Sequence, residues 1–468
     1  MKKKQKYLVL EQVKVTDYAA EGKAIARLDG KVIFISGAVP GDTVDIQFTK
    51  NKKEWAEARV LKITNPSAER IAPFCIHFGT CGGCKWQMLP YKKQLQYKQQ
   101  EAEQNLKRIG KVGLPEILPI IGCDNSEYYR NKLEFTFSNK RFLTREEIGS
   151  ADISSHQDAL GFHAPRIFDK VIDISECFLM DAVNNDIRNS IRDFAKKQGF
   201  PFYDIREHTG WLRNIIIRFS SRGELMVNIC LNHEDEANRV LLLDHILKTV
   251  PGITTLLYTI NPKWNDSIYD LTPQTYAGKG YITEKLEDFE FIISPKSFFQ
   301  TNSAQAEKLY RVARDFAGLT GTETVYDLYC GTGSIGIFVS RLAKKIIGVE
   351  VIEDAIADAK KNAALNHIEH ARFFAGDVIK ICDDHFFETH GRPDVIITDP
   401  PRAGMHEKLV QKLLEMAAPK IVYVSCNTAT QARDINLLSE KYVVEKVQPV
   451  DMFPHTHHIE CVVLLKLK

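Results

Sequence analysis

Cys426 closes the run Val424-Ser425-Cys426-Asn427, directly after the apolar stretch from Lys420 to Val424. A thiol placed there can point into the mouth of a sheet, where a nucleophile serves a bound reactant, although for an isolated cysteine a small buried residue is the better explanation. Further on, Phe453-Pro454-His455-Thr456-His457-His458-Ile459-Glu460 gathers candidate bases just before a strand from Cys461 to Leu465. The histidine spacing does not match the zinc-protease helix motif. A second constellation is Cys75-x5-Cys81-Gly-Gly-Cys84, three thiols in one loop. Three thiolates so close can hold a metal ion or an iron-sulfur cluster, with a fourth ligand from elsewhere. Cys177, in Ile174-Ser-Glu-Cys177, is the best fourth candidate, and His77 is an alternative if the metal is zinc. Spacing alone leaves zinc and a 4Fe-4S cluster both open.

The elements that must position these residues divide the chain in three. At 468 residues it is too long for one ordinary core. Residues 1–65 carry five alternating runs, Tyr7 to Val15, Ala24 to Leu28, Lys31 to Ile35, Thr43 to Phe48 and Trp55 to Ile63, separated by turn residues. This predicts a small barrel of the OB type. Lys2, Lys3, Lys4, Lys6, Lys14, Lys23, Lys50, Lys52 and Lys53 give it a basic tint, which suits nucleic acid or simply a solvated surface. Residues 66–288 hold the cysteine loop and an exposed helix from Tyr91 to Val112, expected to pack on the last domain. They continue with a mainly β, α+β region interrupted by one helix, Asp181 to Gln198. Residues 289–468 alternate short apolar strands with helices, which predicts an α/β, doubly wound parallel sheet with its ligand at the strands' carboxyl ends.

Charge excludes little, because the net value is +2 and a polyanion would have to be met by local patches. The lysine-rich start is followed by too short an apolar stretch for a signal peptide, and no stretch is long enough to span a bilayer. A cytoplasmic protein is the expectation, and ten cysteines in the reducing cytosol are not read as disulfides.

In the last domain the first strand runs into Asp327-Leu328-Tyr329-Cys330-Gly331-Thr332-Gly333-Ser334, and later strands end at Glu350, Asp377 and Asp399. Each acid alone could be a strand cap. Together with the glycine turn they resemble S-adenosylmethionine-dependent methyltransferases, and no phosphate-loop lysine is present. Asp399-Pro-Pro is followed by Arg402, where enzymes that methylate exocyclic amines usually have an aromatic residue. Carbon 5 of a pyrimidine is a poor nucleophile, and thiolate addition to carbon 6 activates it, so a cysteine acquires a task.

Asp399-Pro-Pro-Arg402, Val424-Ser-Cys-Asn427, Met452-Phe-Pro-His-Thr-His-His-Ile-Glu460 and Ser297-Phe-Phe-Gln-Thr-Asn302 resemble the signatures of the RNA (uracil-5)-methyltransferase family. The resemblance implies Cys426 as nucleophile and Glu460 as the base that removes the carbon-5 proton. It implies Gln300, Tyr329, Ser334, Glu350, Asp377 and Asp399 around the cofactor. Thr428 departs from the proline that often follows Cys-Asn, which puts only the turn in question. The ribosomal branch pairs an N-terminal TRAM barrel with Cys-x5-Cys-Gly-Gly-Cys plus a distant cysteine, which implies a 4Fe-4S cluster on Cys75, Cys81, Cys84 and Cys177 and favours 23S rRNA over tRNA. Arg130 and Lys132 are candidate phosphate contacts. A monomer without an obligate protein partner is the default. The alternative from another class is a non-catalytic iron-sulfur RNA-binding protein.

Overall fold

The computed structural model describes residues 8–148 and 157–468. Lys2, Lys3, Lys4 and Lys6 of the basic tint, and the start of the first predicted strand at Tyr7, lie outside them. Among the described residues no helix is long and apolar enough to cross a membrane.

Alternation builds the first layer. In the strand Thr43–Asn51, Val44, Ile46 and Phe48 point inward while Thr43, Asp45 and Gln47 are partly exposed, the period of two that a one-sided sheet demands. Six strands between Val9 and Asn65 close around a core of Val13, Ile33, Ile35, Val44 and Ile46. Trp86, Met88 and Leu89, which follow the cysteine loop, complete that core.

The middle layer is a seven-stranded sheet between Lys132 and Gly278, whose central strands Leu212–Phe219 and Leu225–Leu231 are buried almost throughout. Two helices cover it. Val183–Gln198 was expected from the sequence; Glu236–Thr249, capped by the Asp235 carboxylate, adds a second helix where one was predicted. A hairpin, Ile282–Leu286 and Phe289–Ile293, packs into the same core as the last sheet.

That last sheet runs in the order Ala371–Ala375, Lys345–Glu350, Thr324–Leu328, Val395–Thr398, Lys420–Ser425, Glu460–Leu467, Tyr442–Val450. The first five strands are parallel and doubly wound, with an apolar core on each face. Glu460–Leu467 runs antiparallel to both of its neighbours, so the sheet is mixed where a parallel one is predicted. Tyr442–Val450 escapes a hydropathy reading because Glu445, Lys446, Gln448 and Pro449 interrupt it at the sheet edge, beside a register shift.

The helix Tyr91–Asn105 differs most from its sequence reading. Its buried stripe is Gln94, Lys98 and Ala102, one face at a spacing of four, rather than a fully exposed surface. Polar side chains lie inside because polar partners await them between residues 451 and 455. The helix continues as a π turn, Leu106–Gly110, whose Leu106 enters the core of the last sheet. It docks there with Asn105 Nδ2 donating to Thr428 Oγ1 at 2.8 Å and Asn436 Nδ2 to the Gly110 carbonyl at 2.8 Å.

Candidate active site

Strand register sets the site. Leu328 lies opposite Val349 on one side and Thr398 on the other, so the next residues, Tyr329, Glu350 and Asp399, emerge along one carboxyl edge. Glu350 pairs with Ala375, two residues before Asp377. On the other flank Ser425 pairs antiparallel with Cys461. One step beyond that pair, Cys426 and Glu460 leave adjacent strand ends side by side.

Tyr329 takes φ +62° and Gly333 φ +76° in the turn that follows the first strand. A Cβ on Gly333 would meet the Phe373 ring at 2.9 Å, so only glycine lets this turn close against the next strands. Asp327 is buried below it and accepts the Gly336 N–H at 2.8 Å; burial pushes its carboxyl up to about 7. Glu350 accepts the N–H groups of Gly331 and Ile352 at 3.3 and 3.1 Å. Ser334 contacts the Tyr310 hydroxyl at 3.0 Å, and the Gln300 carbonyl accepts from Asn131 Nδ2 at 2.9 Å. Asp377 accepts the Ile379 N–H at 3.0 Å and caps the short helix after its strand, the very role a strand-end acid has without any ligand.

Around Cys426 the electrostatics are unusual. Burial, then the charges of Glu460 and Asp399, push its thiol up to about 11, against the pull of Arg402. Burial raises Asp399 to about 7, and burial with the nearby Asp399 raises Glu460 well above the usual carboxylate range. Two carboxyls that repel each other's charge each hold a proton more tightly than a free carboxyl, so either is a better proton acceptor for a neighbouring acid. Arg402 donates to the His458 ring, and its carbonyl accepts from Asn427 Nδ2 and Thr430 Oγ1 at 3.1 and 3.2 Å. Burial first, and neighbouring positive charge after it, lowers His457 to about 4 and His458 to about 3, so both stay neutral. Thr428, the departure noted above, is the first residue of the helix capped by Asn427 and spends its hydroxyl on Asn105.

The loop that leads to Glu460 is held from a distance. Lys98 and Asp451, both fully buried, pair at 2.7 Å, and Lys98 also donates to the Phe453 carbonyl at 3.1 Å. Tyr91 donates to Asp451 at 2.8 Å and Tyr129 to the Pro454 carbonyl at 3.0 Å. Arg130, read from the sequence as a phosphate contact, lies with its guanidinium 5.3 Å from the Phe453 ring centre. Lys132 sits 3.8 Å from Glu134.

Cys75, Cys81, Cys84 and Cys177, 93 or more residues apart for the last, line one cavity of about 450 Å³ together with Leu133, Phe162 and Arg130. None is in a disulfide. Among the described residues no three His, Cys, Asp or Glu side chains converge closely enough to hold a single metal ion. A zinc ion would draw four sulfurs to within about 2.3 Å of one point, whereas a cluster spreads its thiolates around a larger body. Four cysteines are the donor set of either group, and a cavity of about 450 Å³ has room for the larger body. Arg130 Nε and His163 Nδ1, both on residues of this wall, are buried without a hydrogen-bond partner, which suits polar atoms facing an anionic group. Burial pushes Cys81 to about 11 and Cys84 to about 12, so thiolates here require a compensating cation.

A model of the tRNA (uracil-5-)-methyltransferase family matches residues 275–468, and a TRAM domain model matches residues 11–61. An RNA methyltransferase of Bacteroides thetaiotaomicron is 54% identical over 96% of this chain and 100% of its own length. One from Porphyromonas gingivalis is 50% identical over 97% and 99%. The chain belongs to the RNA uracil-5 methyltransferase family. Among solved structures, the tRNA (uracil-54, C5)-methyltransferase of Pyrococcus abyssi in complex with S-adenosyl-L-homocysteine superimposes with a TM-score of 0.74, at 26% identity, over 97% of this chain and 100% of that one. As a family member with a TRAM domain, the protein is an S-adenosylmethionine-dependent RNA methyltransferase.

The structure brings Cys426, Glu460 and Asp399 together, and the four cysteines likewise. Gln94, Lys98 and Tyr91, which hold the loop of this uracil-5 methyltransferase from residues some 350 positions away, belong to no motif legible in the sequence. The one available signal was a helix too polar to bury anything by hydropathy, yet interrupted by no proline or glycine.

Proposed function

We propose that the protein methylates carbon 5 of a uridine in RNA through a covalent adduct on Cys426. The adjacency of Cys426 and Glu460 at the ends of two paired strands carries this reading. The Cys426 proton passes to the Asp399 carboxylate as the sulfur bonds to carbon 6, and the π electrons of the carbon 5–carbon 6 bond move into an enolate. Carbon 5 then takes the methyl group from the sulfonium of S-adenosylmethionine, whose carbon–sulfur bond breaks. Glu460 removes the remaining carbon-5 proton, the double bond re-forms and the thiolate leaves. The raised affinity of Glu460 for protons suits it to that last proton. Gln300, Tyr329, Ser334, Glu350, Asp377 and Asp399 are read as the cofactor's surroundings, since register aligns the strand ends among them.

We read residues 1–65, 66–288 and 289–468 as TRAM, cluster-bearing and catalytic domains of a cytoplasmic monomer. Cys75, Cys81, Cys84 and Cys177 would hold a 4Fe-4S cluster. With every iron ligated by protein, such a cluster supplies a cross-link between distant segments. The substrate we favour is 23S rRNA, on the joint presence of the barrel and the cysteine loop. A tRNA substrate has its own observation, the likeness over almost the whole chain to an enzyme named for uridine 54 of tRNA.

Incubation with S-adenosylmethionine and 5-fluorouridine RNA tests the chemistry, because fluorine cannot leave as a proton and the Cys426 adduct should persist on a denaturing gel. No adduct with any rRNA or tRNA would overturn it. Mapping 5-methyluridine in 23S rRNA and tRNA from cells lacking the protein decides the substrate. Iron and sulfide in anaerobically prepared protein are expected; zinc in their place would refute the cluster.

A further inference from the structure

The cysteine loop and the loop of the base touch at several points that the reaction itself does not require. The His455 carbonyl accepts the N–H groups of Lys85 and Trp86 at 2.7 and 3.1 Å, directly after Cys84. Phe74, next to Cys75, packs edge-on against the His455 ring with centroids 5.2 Å apart, and against Phe178, next to Cys177, at 5.3 Å. Gln94 joins the two sides. Its Nε2 donates to the carbonyls of Trp86 and Leu89 at 3.0 and 2.9 Å and lies 3.1 Å from His455 Nδ1, while its Oε1 accepts the His455 N–H at 2.8 Å. Gln94 is fully buried and His455 nearly so, so no water substitutes for these bonds. From His455 the chain needs only five residues to reach Glu460.

We propose that Gln94 is a positioning residue for the proton abstraction by Glu460, and that through it and Phe74 the order of the four-cysteine loop sets the place of the base. The inference rests on the roles of Cys426, Glu460 and the cluster given above. Its signature follows from the order of the steps. Attack by Cys426 precedes the use of Glu460, so a slackened clasp should spare adduct formation and slow adduct release.

The test uses full-length holoenzyme, wild type against Gln94→Met, which keeps volume and removes the bonds, and Phe74→Leu, which loosens the cysteine side. For Gln94→Met, S-adenosylhomocysteine binding and 5-fluorouridine adduct formation should stay near wild type. On ordinary uridine RNA, product release should fall about tenfold, because a base displaced by a fraction of an ångström loses rate steeply, and the covalent species should accumulate. Phe74→Leu should shift the same ratio in the same direction by less. Iron-free protein should exchange the amide hydrogens of His455 to Glu460 faster than holoenzyme. Adduct formation and release falling in equal proportion, both unchanged in the two variants, or equal exchange with and without iron would each overturn the proposal. Absence of the fluorouridine adduct in wild type would instead sink the Cys426 reading on which it stands.

Discussion

The edge of the catalytic sheet and the clasp that holds the 451–458 loop solve the same problem, fixing a side chain in space, by different means. At the sheet edge, position follows from backbone register, and the next residue along each strand arrives in the site. In the clasp, position follows from buried side chains, Lys98 with Asp451 and Gln94 with His455, joined across more than 350 residues. Register tolerates exchange of side chains, whereas a buried polar network fails when one member is removed. Chemistry and rigidity are therefore carried by separate residues, and mutations should separate them.

Glu460→Gln should strike chemistry alone, lowering turnover by about 10²- to 10³-fold, the usual contribution of a general base, while adduct accumulates on ordinary RNA and the melting temperature holds. Single-turnover assays with gel analysis check this; fast release of methylated product would break the division. Lys98→Met should strike rigidity, costing about 3–5 kcal/mol in denaturant unfolding because Asp451 keeps a buried, unpaired charge. A loss under about 1 kcal/mol would mean that the network is dispensable. Acidity sharpens the first half. Asp399, raised to about 7, is mostly protonated below that value and ionised above it, so adduct formation should rise about tenfold between pH 6 and 8. A flat profile would remove Asp399 as acceptor of the thiol proton. Thr428→Pro should matter least. Proline suits the first turn of a helix and the only loss is the bond from Asn105, so stability should change by about 1 kcal/mol or less, read from the same unfolding curves.

The same contrast explains what was legible in the sequence. Leu225–Leu231, Thr255–Ile260, Ala371–Ala375 and Val395–Thr398 are apolar runs of the kind the sequence marks as strands, and each forms one. Cys426 and Glu460 were visible because each sits at the end of such a strand in a specific motif. The helix Glu236–Thr249 and the strand Tyr442–Val450 were missed, the first despite the Asp235 cap, the second because its polar positions break alternation. Gln94 and Lys98 were unreadable for a deeper reason. Their partners lie so far along the chain that no local pattern links them, and their polarity argues for solvent until the partner is known.

The insertion of Glu460–Leu467 between Lys420–Ser425 and Tyr442–Val450 gives the enzyme a birth order. A nascent chain can fold its barrel and its cofactor turn as they leave the ribosome, since domains generally fold as they are made. Cys426 is synthesised before the strand that brings Glu460 beside it, and that strand must then enter the sheet's interior rather than add to its edge. Until it does, Cys426 lies in a half-built pocket, so on the proposed mechanism a growing polypeptide has its RNA-binding surface before it has the base that would release the adduct.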